Sequence, residues 1–281
     1  MVSHHSAEVL PSCLDALARE GVGVLLVDNA STDLSAALAE QRGARVLRNR
    51  RNEGYGRANN AGVRATGGAF VLICNPDVTL DLGAVAALLL AAERYPDAGL
   101  YAPRLVEPDG RVFFQPRSLL APVSAGAQAS PSGDACAPFL SGACFLIRRD
   151  LFLDLRGFDP NIFLFYEDDD LCRRVADRGL ALVHVHDAVA RHGRGRSSAP
   201  RPGRIFASRW HQAWSKAYVA RKYDLPNPAP AMLARNLAKA GLARLTGNRA
   251  LIERYAGSAA GAYAFLRGRT ALAREGLDGT P

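Results

Sequence analysis

An α/β protein built on a doubly wound, mostly parallel sheet is what this sequence predicts, and three observations lead there. Short apolar strand-like runs alternate with helical segments through the first 100 residues. Repeated units of that kind pair in parallel and put helices on both faces. Apolar content of 48% and charged content of 22% describe a soluble globular chain. A length of 281 residues suits one large domain, or one domain with an appendage.

The elements follow in order. Residues 22–27 read as an apolar strand, followed by the polar turn 28–33 and a helix over 34–42. A short strand is expected at 44–47 and a helix at 59–66, ended by Gly67-Gly68. Residues 70–74 are a second apolar strand, and a helix over 82–95 stops at Pro96. From 116 to 138 the texture turns to Pro, Ser, Ala and Gly, which predicts a functional loop. A strand returns at 141–147, a helix at 167–178 capped by Gly179, and a strand at 180–185. Residues 193–203 are loop-like, and the chain from about 205 is helical and basic.

Chemistry is concentrated first at Asn75-Pro76-Asp77. Pro76 cannot donate to a ladder, so the strand must stop there. The stop delivers Asp77 to the carboxyl end of a strand, where open α/β sheets bind their ligands. A carboxylate in that position can hold a hard divalent ion against a diphosphate, although the tripeptide is equally ordinary turn chemistry.

A second acidic cluster, Tyr166-Glu167-Asp168-Asp169-Asp170, opens a helix. Acids in a first turn also serve as caps. At roughly 100° per residue, Asp168 falls on the apolar face with Leu171 and Val175. Asp169 falls at its edge, four residues before Arg173. Asp170 points away, as a surface partner of Arg174. An inward carboxylate with no local partner is a candidate general base. Of His184, His186 and His192, the last is best placed to join Asp77 on a metal.

Charge is unevenly spread: residues 191–281 carry 17 basic and four acidic side chains within a chain of net charge +8. A basic terminal piece on an acidic body implies an anionic partner, or simply solvated helix faces. Trp210, Trp214 and Tyr218 recur at helical spacing, which reads as a packing stripe rather than a nucleic-acid platform. No run approaches the roughly 18 apolar residues of a membrane span. Met1-Val2-Ser3-His4-His5-Ser6 lacks the marks of a signal peptide. Five cysteines, odd in number and set in apolar stretches, predict reduced thiols in a cytoplasmic protein and no zinc site.

Jointly, these motifs resemble family 2 glycosyltransferases. Val27-Asp28-Asn29-Ala30-Ser31-Thr32-Asp33, the stretch from Asn52-Glu53-Gly54 to Gly62, and Asn75-Pro76-Asp77 are similar to the family's nucleotide-sugar half. Ser141-Gly142-Ala143-Cys144, Gly157-Phe158-Asp159 and Tyr166 to Arg174 are similar to its acceptor half, and His192-Gly193 with Ser197 to its closing element. The likeness spans roughly residues 2–200. It extends to bacterial rhamnosyltransferases of surface-polysaccharide assembly in the cell envelope.

The resemblance implies a GT-A-like catalytic domain over 1–203, with a nucleotide-sugar half at 1–110 and an acceptor half at 111–203, and a basic helical region at 204–281. It implies a metal-dependent, inverting transfer from a nucleoside-diphospho sugar such as dTDP-rhamnose to a glycan or lipid-linked acceptor. Asp168 would be the catalytic base, and Asp77 with His192 would hold Mg2+ or Mn2+. Asp28, Asn29, Arg57, Asn60, Asn75, Gly142, Glu167 and Asp169 would bind substrate. The basic region would meet an anionic membrane from the cytoplasmic side, and no nucleic acid is expected.

One departure stands out: Met1 and Val2 are all that remains of the family's first strand, which would be central in the sheet and contact the nucleotide. Either the true start lies upstream, or the chain is an impaired, carbohydrate- or nucleotide-binding relative. A nucleotidyltransferase would need a Gly-rich phosphate loop after that strand, and none is present. Gly54-Tyr55-Gly56 is no dinucleotide fingerprint, because Asn59 stands at the third glycine position.

Overall fold

The structure, a computed structural model, describes residues 1–114, 118–121, 131–193, 197 and 201–278. Much of the expected 116–138 loop, and six residues of the expected 193–203 loop, lie outside the described residues. The chain forms two compact units: residues 1–158 with 168–199, and residues 159–167 with 200–281.

The first unit contains two sheets. Strands β1 (Val2–Ser3), β2 (Leu25–Asp28) and β3 (Arg45–Arg48) pair in parallel in the order β1-β2-β3. They alternate with helices α1 (Leu10–Arg19), α2 (Ser35–Gln41) and α3 (Tyr55–Arg64). Helix α1 is absent from the sequence-based expectation, although Leu10, Cys13, Leu14 and Leu17 bury one face of it. Helix α3 starts four residues before its expected position. The first strand is not central as expected: its two residues reach β2 alone, so it lies at the edge of the smaller sheet.

The larger sheet has the order β4-β9-β6-β10-β5. Its strands are β4 (Phe70–Cys74), β5 (Val78–Leu80), β6 (Ala98–Val106), β9 (Cys144–Arg148) and β10 (Ala181–His192). Two short strands add to it: β7 (Val112–Phe113) on β6 and β8 (Ala135–Cys136) on β10. Here β6 and β10 run parallel, while β9 and β5 insert antiparallel pairings.

Alternation along the strands explains why this sheet carries helices on both faces. Leu72, Cys74, Cys144 and Leu146 turn to one side, where Cys13 and Leu17 of α1 and Leu88 of α4 (Ala84–Arg94) close over them. Val71, Ile73, Phe145 and Ile147 turn to the other, against Phe152 of α5 (Arg149–Asp154) and Leu171 and Val175 of α6 (Glu167–Ala176). Phe158 fills the second side, meeting Phe152 and Phe145 edge-on at 5.5 and 6.2 Å. Each such ring contributes about 1 kcal/mol beyond its buried area. Four cysteines are buried as expected, but Cys136 on β8 is exposed.

The second unit packs α7 (Arg204–Lys222), α8 (Ala229–Leu245), α9 (Arg249–Leu266) and α10 (Ala271–Arg274). Trp210, Trp214 and Tyr218 stack in sequence along α7, with centroids 6.5 and 5.1 Å apart, and join Met232, Ala262 and Phe265 in its core. The stripe is packing, as its spacing predicts. Buried Asp159 accepts from Lys222 Nζ at 2.7 Å and Tyr218 Oη at 3.0 Å. No described helix is long and apolar enough to cross a membrane.

In the first unit, Gly157 turns with φ +66°, and an added Cβ would overlap Asn60 Oδ1. Strain at positive φ and steric overlap act together there. Gly157→Ala is expected to lower folding stability by roughly 2–4 kcal/mol, read from urea unfolding. A loss under about 1 kcal/mol would show that the turn relaxes freely.

Candidate active site

Strand β4 ends at Cys74, and Pro76 then aims the chain away from the ladder. Asp77 follows and is 7% exposed. Strand β5 leaves directly after it and pairs antiparallel with the end of β10, putting His192 opposite Val78. Gly193 N donates to Asp77 O at 2.8 Å and locks that register. A ladder between segments more than 100 residues apart thus sets His192 Nε2 3.6 Å from Asp77 Oδ1. Neither carboxylate oxygen of Asp77 receives a hydrogen bond of ordinary geometry among the described residues. Burial pushes this carboxyl up, but His192 and Ser197 beside it hold it below the usual range. A cavity of about 390 Å³ opens there, lined by Asp77, Thr79, Glu107, Arg191 and His192.

Two hydrogen bonds tie this end of β4 to α6. Asn75 N donates to Ala143 O at 2.8 Å, the last rung before β4 and β9 diverge. The next residue, Gly142, donates its N–H to Asp168 Oδ2 at 2.9 Å. A side chain at 142 would crowd Asp168, since its Cβ would lie 3.2 Å from Oδ2. Tyr55 Oη donates to Gly142 O at 2.6 Å, so α3 braces the same point. Burial raises the Asp168 carboxyl, while the N–H groups of Gly142 and Asp169 counteract part of the rise.

The rest of the acidic cluster departs from expectation. Asp170 is no surface residue: it is 0% exposed and pairs with Arg174, whose Nη1 also donates to Leu155 O at 2.7 Å. Asp169 is buried and accepts from Ser118 Oγ at 2.5 Å. Arg173 pairs with Asp177 at 2.7 Å and donates to Leu120 O, rather than serving Asp169. Glu167 is buried as well. The helical wheel allowed one buried face, whereas segments around Leu120 and Leu155 cover α6 from further sides. Burial, then the charge of Asp168, raises Asp169 to about 7.

The remaining sequence-derived candidates divide into two groups. Asp28 ends β2 buried, and its Oδ1 has no partner among the described residues. Arg57 lies 3.4 Å from Glu53 on the first turn of α3, and Asn75 Oδ1 is also without a partner there. By contrast, the Asn29 side chain is fully used: Oδ1 accepts from Asn49 Nδ2 and Glu53 N, and Nδ2 donates to Asn52 Oδ1 and Gly54 O. Asn60 likewise bridges both backbone groups of Phe158, at 2.8 Å each way. These two amides hold loops. Of the three histidines, His192 is the one beside Asp77. His184 is buried against Phe114, and burial lowers it to about 4.

Sequence reading assigned no role to Tyr55 or Ser118. Tyr55 stood inside the quoted Gly54-Tyr55-Gly56 stretch, the one signal for it. Ser118 carries none. Among the described residues, no group of three or more His, Cys, Asp or Glu is arranged around a metal position. Among the described residues, Asp77 and His192, 3.6 Å apart, are the pair that the sequence reading names for a metal.

Two measurements test this geometry. The proton held on Asp169 stabilises the folded chain fully below about pH 4, the unfolded value, and that stability is lost as pH rises through 7. Between pH 4 and 8 the parent chain is expected to lose roughly 2–4 kcal/mol relative to Asp169→Asn, by urea unfolding. Parallel profiles would contradict the burial of that carboxyl. Asn60→Ala is expected to cost about 2–3 kcal/mol through the unpaired Phe158 groups. Lost nucleotide affinity at unchanged stability would instead make Asn60 a ligand contact.

Residues 1–156 match the family described as Glycosyl transferase family 2. An N-acetylglucosaminyl-diphospho-decaprenol L-rhamnosyltransferase of Mycobacterium tuberculosis is 31% identical over 239 residues, covering 70% of this chain and 78% of that protein. Rhamnosyltransferase WbbL of Escherichia coli K12 is 34% identical over 97 residues, about a third of each chain (34% and 35%). Among solved structures, the mannosyltransferase PcManGT from Pyrobaculum calidifontis, in complex with GDP-Man and Mn2+, superposes with a TM-score of 0.59 at 19% identity. That match covers 94% of this chain and 85% of that one, and places the fold among GT-A glycosyltransferases. With residues 1–156, more than half its length, matched to the family and a relative 31% identical that covers 70% of it, this chain belongs to glycosyltransferase family 2.

Proposed function

We propose that this glycosyltransferase moves a sugar, with dTDP-rhamnose as the foremost donor, from a nucleoside diphosphate to a hydroxyl of a glycan or lipid-linked acceptor, with inversion. The observation that carries the reading is the pair of bonds joining the Asp77 corner to Asp168 through Ala143 and Gly142. They bring a candidate cation ligand and a candidate base to one end of one sheet. The rhamnosyltransferase relatives support the donor class. The diphospho-decaprenol in the mycobacterial name supports a lipid-linked acceptor. The setting would be polysaccharide assembly at the cytoplasmic side of a membrane.

Asp77 and His192 would hold Mg2+ or Mn2+, and the buried carboxylate oxygens of Asp77, which receive no hydrogen bond of ordinary geometry among the described residues, fit that task. When bound, the ion supplies charge neutralisation for the departing diphosphate. Asp28, at the end of β2, would accept from the nucleobase. Asn29 and Asn60 would shape that half indirectly, by fixing loops 49–54 and 157–158.

Asp168 would take the proton of the acceptor hydroxyl. Its two backbone donors fix the carboxylate, and burial lifts its basicity toward the working range of a general base. The oxygen so freed attacks the anomeric carbon from the side opposite the diphosphate, which inverts that centre. The alternative, a non-catalytic carbohydrate- or nucleotide-binding relative, predicts nucleotide binding without turnover.

Asp168→Asn is expected to reduce kcat by roughly 10²–10⁴-fold with donor binding intact. Unchanged turnover would remove Asp168 from the mechanism. Asp77→Ala is expected to weaken donor binding about tenfold or more when Mn2+ is present and little in its absence. Thermal-shift titration of nucleotide sugars, with and without Mn2+, reads this directly and identifies the donor as well.

A further inference from the structure

Helix α8 has two apolar faces, and one of them is covered. Ala229, Met232, Asn236, Ala240 and Ala243 are buried within the helical unit. On the other side Leu237, Leu242 and Leu245 are 57%, 65% and 84% exposed. At roughly 100° per residue these leucines share one stripe with Ala234, Ala238 and Gly241, opposite the buried stripe. Single exposed leucines are normal, but three aligned along one helix face are not. Arg235 and Lys239 border the stripe on one flank and Arg244 on the other. From residue 225 to 252 the chain carries four basic side chains and no acidic one.

We propose that this face of α8 lies in the surface of an anionic lipid bilayer. Leu237, Leu242 and Leu245 enter the acyl boundary, while Arg235, Lys239, Arg244 and Arg249 meet lipid phosphates. Charge selects the lipid over a second copy of the chain. A two-fold interface sets the same patch against itself, so these cations would face one another with no carboxylate between them. The helix is 17 residues long and lies on the surface rather than spanning it. The inference rests on the lipid-linked acceptor reading for its purpose, but its binding is a property of the helical unit alone.

The test uses the full-length chain, co-sedimented with vesicles of mixed phosphatidylglycerol and phosphatidylcholine or of phosphatidylcholine alone. Salt-sensitive binding to the mixed vesicles is expected, weakened about tenfold or more by Leu242→Asp with Leu245→Asp. Arg235→Gln with Lys239→Gln is expected to cost about fivefold per charge. All four positions are surface-exposed, and circular dichroism checks that each variant folds. The proposal is overturned if the parent chain ignores both vesicle types, if it binds phosphatidylcholine equally, or if the leucine variant binds undiminished. A dimer in sedimentation velocity that the leucine variant dissolves, with no vesicle binding, would assign the face to a second copy and overturn it too. Nucleotide-sugar affinity is measured alongside: its absence in the parent chain defeats the transferase reading and leaves the vesicle result standing.

Discussion

A single ladder rung, Asn75 N to Ala143 O, is the constraint on which the candidate site depends. Below it, β4 and β9 are an ordinary antiparallel pair whose side chains feed two cores. Above it the strands part. Pro76 sends one chain to Asp77, and Gly142 gives the other a bare N–H to bind Asp168. Losing the rung would cut the link between the two carboxylates, although each keeps its own anchor, Asp77 at Gly193 and Asp168 at Gly142. The cores beneath fix the rung, so packing energy in the sheet is what orients groups at its end.

Local signals explain how much of this was legible. The run at 70–74 and its proline gave β4 to the residue, whereas the helical wheel misjudged α6: Asp168 is half-buried, and Asp169 and Asp170 beside it are the buried carboxylates. Other features depend on partners remote in sequence. His192 was named from the sequence as the histidine to join Asp77, but the β5–β10 register that seats it there depends on a partner strand remote in sequence. Strand β10 runs to His192, well past the expected end, because it shifts register between Val185 and Val189 and continues beside β5. Asp170 looked like half of a surface i,i+4 pair because periodicity reports one helix. Here the segment near Leu155 closes over Arg174 and takes the pair out of water.

The two asparagines teach a related lesson. Asn29 and Asn60 sit in stretches that resemble ligand-binding motifs, yet their amides are consumed by backbone and neighbouring amides. An amide carries two donors and an acceptor with two lone pairs, and Asn29 spends all of them. A motif can therefore mark a site without every member touching ligand: some members hold the shape that others use. Asp28 is the contrasting case, buried with an oxygen that has no partner among the described residues.

The tryptophan stack on α7 has an optical consequence. The chain contains two tryptophans, and both stand in that stack. Their emission is a private channel for the helical unit, whereas the far-ultraviolet signal sums over the helices of both units. Comparing the two signals during one melt therefore resolves whether the halves of this enzyme come apart in one cooperative step or two.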